Sequence, residues 1–341
     1  MSQMTTIATL MVTRLWLRPR HRRALDAAIG PDGINTVGFA EVAGIEHFRT
    51  IRGADKRNPV MVFVHGGPGA TQTIFNPTTI PWERHVTVVQ YDQRGSGKTL
   101  QRSGAAPDLT LDRLETDAIA MIESLRDELG IDQVILAGSS VGSAIALGVA
   151  ARRPDLVSAY VGVDQLASPE SRQLSRQLTV EGLHRYGNRA GLTALEQLEG
   201  AKLTPEVYGK IVHWTMEADP NIPHMVNDVI IPALLTSPLH TTRDAKLLDV
   251  GMKASTAALF DEIGSFDARV VASELEMPVT LVHGASDIVN PTACVHAWYD
   301  ELRGPSKDMI LFEHTGHLAA FTRPDRFVDV LATVRERVAA A

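Results

Sequence analysis

Cysteine is almost absent from this 341-residue chain; Cys294 is the only one. No internal disulfide can form, which fits a reducing compartment such as the cytoplasm. Cys294 lies just after Pro291, at the start of an expected helix, and reads as a small buried residue. Basic residues are not in excess: 33 Lys and Arg stand against 40 Asp and Glu, a net charge of −7. Binding to phosphate backbones needs a basic surface, so nucleic acid is excluded as the main partner. No apolar run approaches the roughly 20 residues that cross a bilayer. There is no internal repeat and no cluster with zinc-ligand spacing. "GSGKT" (95–99) looks like the end of a phosphate-binding loop, but the first glycine of that loop is replaced by Asp92. No glycine-rich dinucleotide fingerprint follows the first strand, so no cofactor is implied. What remains is an ordinary globular composition, 44% apolar and 21% charged. The length suits one large α/β domain with an insertion.

The N-terminal stretch "MTTIATLMVTRLWLRPRHRR" (4–23) joins an apolar segment to five arginines between positions 14 and 23. It lacks a cationic region ahead of the apolar part and is a poor secretory signal. Two readings follow. One is a helix packed on the body of the protein or on a partner subunit, which would make a homo-oligomer. The other is an interfacial helix, with Ile7, Leu10, Met11, Leu15 and Trp16 in a headgroup zone and the arginines on anionic lipid. The second would add a peripheral membrane contact to a cytoplasmic protein.

From about residue 35, short β-branched runs alternate with helical periodicity. "VGFAEV" and "EHFRTIRG" read as a strand pair. The runs 59–64 and 86–91 are continuously apolar, as central strands covered on both faces are. Leu111, Leu114, Ala118, Ile122, Leu125 and Leu129 form one helical stripe, which Gly130 ends. Further strands are expected at 133–137, 157–163, 278–282 and 308–312, with a last helix from 325 to 340. This alternation predicts a mostly parallel sheet flanked by helices. Residues 167–272 break the rhythm with helical patterns and no convincing strand. They are expected to form a helical cap over the C-terminal strand ends, where ligands of open α/β sheets bind. The expected organisation is a leader (1–34), a core in two parts (35–166 and 273–341) and the cap between them.

"ILAGSSVGSA" (135–144) offers three serines, Ser139, Ser140 and Ser143. Gly138-Ser139-Ser140-Val141-Gly142 matches G-x-S-x-G with Ser140 at its centre, between an expected strand and an expected helix. A nucleophile on that sharp turn needs glycines on either side so that neighbouring backbone can approach. Ser139 and Ser143 read as packing and first-turn helix residues. A serine needs a base, and His317, in "EHTGHLA" after the strand 308–312, fits best; His314 is its rival. Asp287, in "LVHGASDIVNP", is the expected acid that orients the imidazole, with Asp164 after strand 157–163 as the alternative. His65-Gly66-Gly67-Pro68-Gly69 follows strand 59–64. Gly67, then Gly66, would offer one backbone N–H to an oxyanion and Val141 the second. His65 reads as a brace for that loop.

Taken together, "HGGPG" (65–69), "DQRGSGKT" (92–99), "GSSVGS" (138–143), "GASD" (284–287) and "GH" (316–317) resemble the proline iminopeptidase branch of the α/β-hydrolase superfamily. The similarity spans about residues 35–166 and 273–341. It implies a Ser140–Asp287–His317 hydrolase under a helical cap, releasing N-terminal proline from short peptides. Ser139 and Val141 depart from the glycine and tryptophan usual beside the serine. Cap glutamates read the substrate amine in that branch; the nearest stretch here, "HWTME", offers Trp214 and Glu217. An aminopeptidase therefore leads narrowly over an esterase, lactonase or amidase acting on a small acyl compound. A non-hydrolytic ligand-binding use of the fold, as a receptor or lyase, is the third reading.

Overall fold

The computed structural model describes residues 3–340. Eight strands form one sheet in the order β1-β2-β4-β3-β5-β6-β7-β8. β1 (Ile34–Val42) and β2 (Ile45–Gly53) make an antiparallel hairpin, and β2 runs antiparallel to β4 (Thr87–Tyr91). From β4 the sheet is parallel through β3 (Val60–Val64), β5 (Val134–Ser139), β6 (Val157–Val163), β7 (Val279–Gly284) and β8 (Lys307–Phe312).

The central strands are apolar throughout because both faces of the sheet are covered. Alternation along β3 shows how. Val62 and Val64 join a cluster with Leu114, Leu125 and Ile145, from the helices Leu111–Leu129 and Val141–Arg152. Met61 and Phe63 point the other way, into a cluster with Trp82, Phe321 and Phe327. The helix Leu111–Leu129 begins at Thr110, whose side chain accepts the Arg113 N–H, and ends at Gly130 in the left-handed conformation.

Between β6 and β7 the chain is helical. Ser171–Arg185, Arg189–Glu196, Pro205–Met216, Ile231–Thr236 and Thr242–Ser265 are its main helices. Leu183, Leu195, Ile211 and Ala218 give this layer a small core of its own.

The leader is a helix, Gln3–Ala27. Three of its five arginines donate to carbonyls of the chain near residues 235–240. Arg14 donates to Leu235 O (2.9 Å) and His240 O (3.3 Å), Arg18 to Ser237 O and Pro238 O, and Arg22 to Pro238 O. These carbonyls lie at and just beyond the C-terminus of Ile231–Thr236, where unpaired carbonyls and the helix dipole favour cations. Leu15 and Trp16 are 74% and 72% exposed. Ile7, Leu10 and Met11 lie outside the residues whose side chains are described. None of the described helices is long and apolar enough to cross a membrane.

Candidate active site

Every candidate group stands at the C-terminal edge of the parallel strands. Ser140 follows β5 with φ 56° and ψ −127°, a strained conformation for a residue with a side chain. The flanking glycines permit it. A Cβ on Gly138 would sit 2.3 Å from Gly142 O, and one on Gly142 would sit 2.2 Å from Val64 O. The Ser140 hydroxyl makes no hydrogen bond with any described residue. Ser143, in the first helical turn, donates from its hydroxyl to Ser140 O and accepts the Leu166 N–H, tying the turn to β6. Ser139 is buried on the strand.

His317 Nδ1 donates to Asp287 Oδ2 at 2.7 Å, which leaves Nε2 free. Asp287 Oδ1 accepts the N–H groups of Val289 (2.8 Å) and Asn290 (3.1 Å). Burial works against the Asp287 carboxylate, but the charge and hydrogen bond of His317, the nearby His283 and the Asn290 N–H hold it below the usual carboxylate range. Burial likewise opposes an imidazolium at His317. The charge and hydrogen bond of Asp287, with the charge of Asp164, outweigh it and push His317 up to about 9. Asp164 is a second buried acid: its carboxylate, that of Asp287 and a ring nitrogen of His317 lie within 4.8 Å of one another. It accepts the Ala319 N–H at 3.0 Å, while burial pushes it up to about 7. Asp287, not Asp164, thus holds the imidazole. Each acid already accepts hydrogen bonds within the chain, Asp287 from His317, Val289 and Asn290 and Asp164 from Ala319. His314 is exposed and takes no part.

The two loop motifs lock each other. His65 Nε2 accepts the Gln93 N–H (3.0 Å), and Gln93 Nε2 donates to His65 O (2.6 Å). Burial lowers His65 to about 4, so the ring is neutral and its Nδ1 donates to Gly66 O. Asp92 accepts the Lys98 N–H and the Thr71 hydroxyl, and Lys98 pairs with Asp244 at 3.3 Å. "GSGKT" is therefore bound up within the protein. Gly66 presses on the serine turn: a Cβ there would meet Ser139 O at 2.6 Å and Ser140 Cβ at 2.9 Å. Gly67, at φ 120°, abuts its own loop at Ala70. Both line one cavity with Ser140, Val141 and His317.

That cavity encloses about 290 Å³ beneath the cap. It is largely apolar, with Phe75, Met225, Ile230, Leu248, Met252 and Phe260 on its walls and no Asp or Glu among its lining residues. A neighbouring cavity of about 230 Å³ shares Met225, Val289 and His317, and has Glu181 and Asp219 on its wall.

Here the cap expectations need correction. Glu217 and Trp214 line neither cavity. Trp214 packs against the cap core. Glu217 faces His224 Nε2 at 3.3 Å, and His224 Nδ1 accepts the N–H groups of Val226 and Asn227. Glu217 thus steadies a cap on the segment Met225–Ile230 instead of facing Ser140. Trp and Glu near a helix end identify a cap helix, but not which way its end points.

A family model described as "Alpha/beta hydrolase family" matches residues 61–330. The chain belongs to the alpha/beta hydrolase family. Its similarity to curated proteins runs over most of both sequences. It is 26% identical to "Probable aminopeptidase YbaC" of Bacillus subtilis, over 83% of this chain and 90% of that protein. It is 24% identical to the proline iminopeptidase of Clostridium botulinum, over 84% and 92%. Among solved structures, a membrane phospholipase A aligns with a TM-score of 0.64 and 17% identity, covering 99% of this chain and 96% of the other. The hydrolase fold is the one the motifs implied, and the relatives include proline iminopeptidases, the branch those motifs resemble.

Proposed function

We propose that this hydrolase cleaves esters or amides of an apolar acyl group through an acyl-enzyme on Ser140. One observation carries the reading: the strained Ser140 turn and His317, which Asp287 holds from behind, line the same acid-free, apolar cavity. In the first step His317 Nε2 takes the Ser140 proton as Oγ adds to the substrate carbonyl. The carbonyl π pair moves onto oxygen, and backbone N–H groups of Val141 and of Gly66 or Gly67 face that oxyanion. Asp287 stabilises the imidazolium and keeps its own negative charge. The oxyanion collapses, His317 passes its proton to the leaving alcohol or amine, and the acyl group stays on Ser140. Water, deprotonated by His317, then repeats the addition and frees the acid.

A second reading, an aminopeptidase, is supported by the relatives named above and by the acidic side cavity. There Glu181 or Asp219, rather than Glu217, would meet a free amino group beside His317. A panel of aminoacyl-naphthylamides, Pro-naphthylamide included, against 4-nitrophenyl esters of two to eight carbons decides between them. The acyl reading expects the esters to lead, with preference for chains that fill the cavity. Strong Pro-naphthylamide turnover that falls in Asp219→Asn or Glu181→Gln would favour the aminopeptidase instead. Exposed Leu15 and Trp16 on the leader helix also support a peripheral contact with a lipid surface.

A further inference from the structure

One part of the cavity wall differs from the rest. The loop after β6 and the start of the helix Ser171–Arg185 bring Ser168, Ser171 and Arg172 to it. Ser171 is 4% exposed, and its hydroxyl has no hydrogen-bond partner. Arg172 Nε is buried and also unpartnered. The guanidinium is held in place from other directions: Nη2 donates to Phe260 O at 2.7 Å, and the group lies 4.2 Å and 4.9 Å from the Phe260 and Tyr208 ring centroids. Gly264 leaves the space it fills, since a Cβ there would come within 2.1 Å of Arg172 Nη1. Among the described residues no carboxylate pairs with Arg172. Glu170, two residues earlier, is exposed and bonded by the Ser168 side chain.

Arg172 is half-buried, and its buried Nε–H is a donor left without a partner in a mostly apolar wall. Here the cation, an unsatisfied buried hydroxyl and a helix N-terminus share one place, and each favours negative charge. We propose that Arg172 and Ser171 Oγ, at the start of Ser171–Arg185, form an anion subsite in the acyl cavity, so that the preferred substrate is an ester or amide whose apolar acyl chain ends in a carboxylate. This rests on the acyl-hydrolase reading of the cavity. The guanidinium fork offers the carboxylate a geometry that neutral chain ends cannot use.

The test compares mono-4-nitrophenyl esters of adipate and suberate with 4-nitrophenyl alkanoates of equal chain length. The wild type should favour the anionic esters at least tenfold in kcat/KM, mainly through KM. Arg172→Gln should cut kcat/KM for the anionic esters at least tenfold more than for the neutral ones. Arg172→Lys should restore part of that difference, and Ser171→Ala should shift it the same way by less. Equal or better turnover of the neutral esters by wild type would overturn the subsite. So would an Arg172→Gln loss equal on both series, the mark of a strut between Tyr208 and Phe260. If Arg172→Gln fails to fold by circular dichroism, Arg172→Lys and Ser171→Ala decide. Calorimetric titration of the wild type with suberic acid monoamide, which carries one terminal carboxylate, against neutral octanamide reads the subsite without turnover. Preferred binding of the anionic monoamide without ester hydrolysis would leave the subsite standing and remove the hydrolase reading; no preference for it would remove the subsite alone.

Discussion

At the strand ends placement starts from backbone: Ser140 is set by a turn that only glycine neighbours allow and Asp287 by two N–H groups, and the Asp287 carboxylate in turn sets His317. In the cap, placement depends on side chains, some of which meet across long sequence separations. Arg172 is set by Phe260 and Tyr208, and Met225–Ile230 by His224 and Glu217. The contrast separates two tasks. A reacting hydroxyl and its base must meet within a few tenths of an ångström, and a strained turn on a fixed sheet achieves this. Selecting an acyl chain needs only shape and one or two polar contacts, which a helical layer can vary without disturbing the sheet.

Substitutions should follow this divide. The largest effect is expected from Asp287→Asn, which leaves the imidazole in the wrong tautomer. A fall of about 10³–10⁴ in kcat is expected by analogy with the serine protease case, measured on any ester the wild type turns over. A loss under tenfold would mean that Asp164 had taken over the histidine.

Asp164→Asn should act through pH instead. The base must be neutral, so kcat/KM rises with pH as the raised His317 loses its proton. Asp164, pushed up to about 7 by burial, is ionised on the alkaline side of that value and favours the imidazolium. Removing its charge lowers the His317 pKa and moves the limb to lower pH. A pH–rate profile that stays in place, or moves to higher pH, would contradict this coupling.

Glu217→Gln should change kcat/KM by no more than about twofold on esters or naphthylamides, because glutamine can still accept from His224 at this partly exposed site. A selective loss on aminoacyl substrates would return Glu217 to the binding site. The smallest effect is expected for removal of residues 1–23. Ester turnover in solution should persist, while flotation with anionic liposomes should weaken. Equal flotation of both forms would dismiss the lipid contact.

Much of the sheet edge was legible in the sequence, because its constraints are local. A strand buried on both faces reads as an apolar run, and the Ser140 turn demands glycine at 138 and 142. The strands expected at 157–163 and 308–312 appear as Val157–Val163 and Lys307–Phe312. The order of preference within the loop His65–Gly69 was less legible, since only the fold shows Gly66 pressed on the serine turn and Gly67 on its own loop. The cap resisted reading. Helical periodicity marks which face of a helix is buried, but not which neighbour faces it, so Glu217 stands out in the sequence and Arg172 does not. The leader posed the same problem: arginines beside apolar residues look suited to lipid, and nothing local reveals the carbonyls of 235–240, more than 200 residues on, that engage three of them.

The central claim is that Ser140 is the nucleophile, served by His317. A fluorophosphonate probe, followed by peptide mass spectrometry of wild type, Ser140→Ala and His317→Ala, tests it most directly. A single adduct on Ser140 in the wild type is expected, absent from folded Ser140→Ala and strongly slowed in His317→Ala. An adduct on another residue, or none in folded wild-type protein, would contradict it.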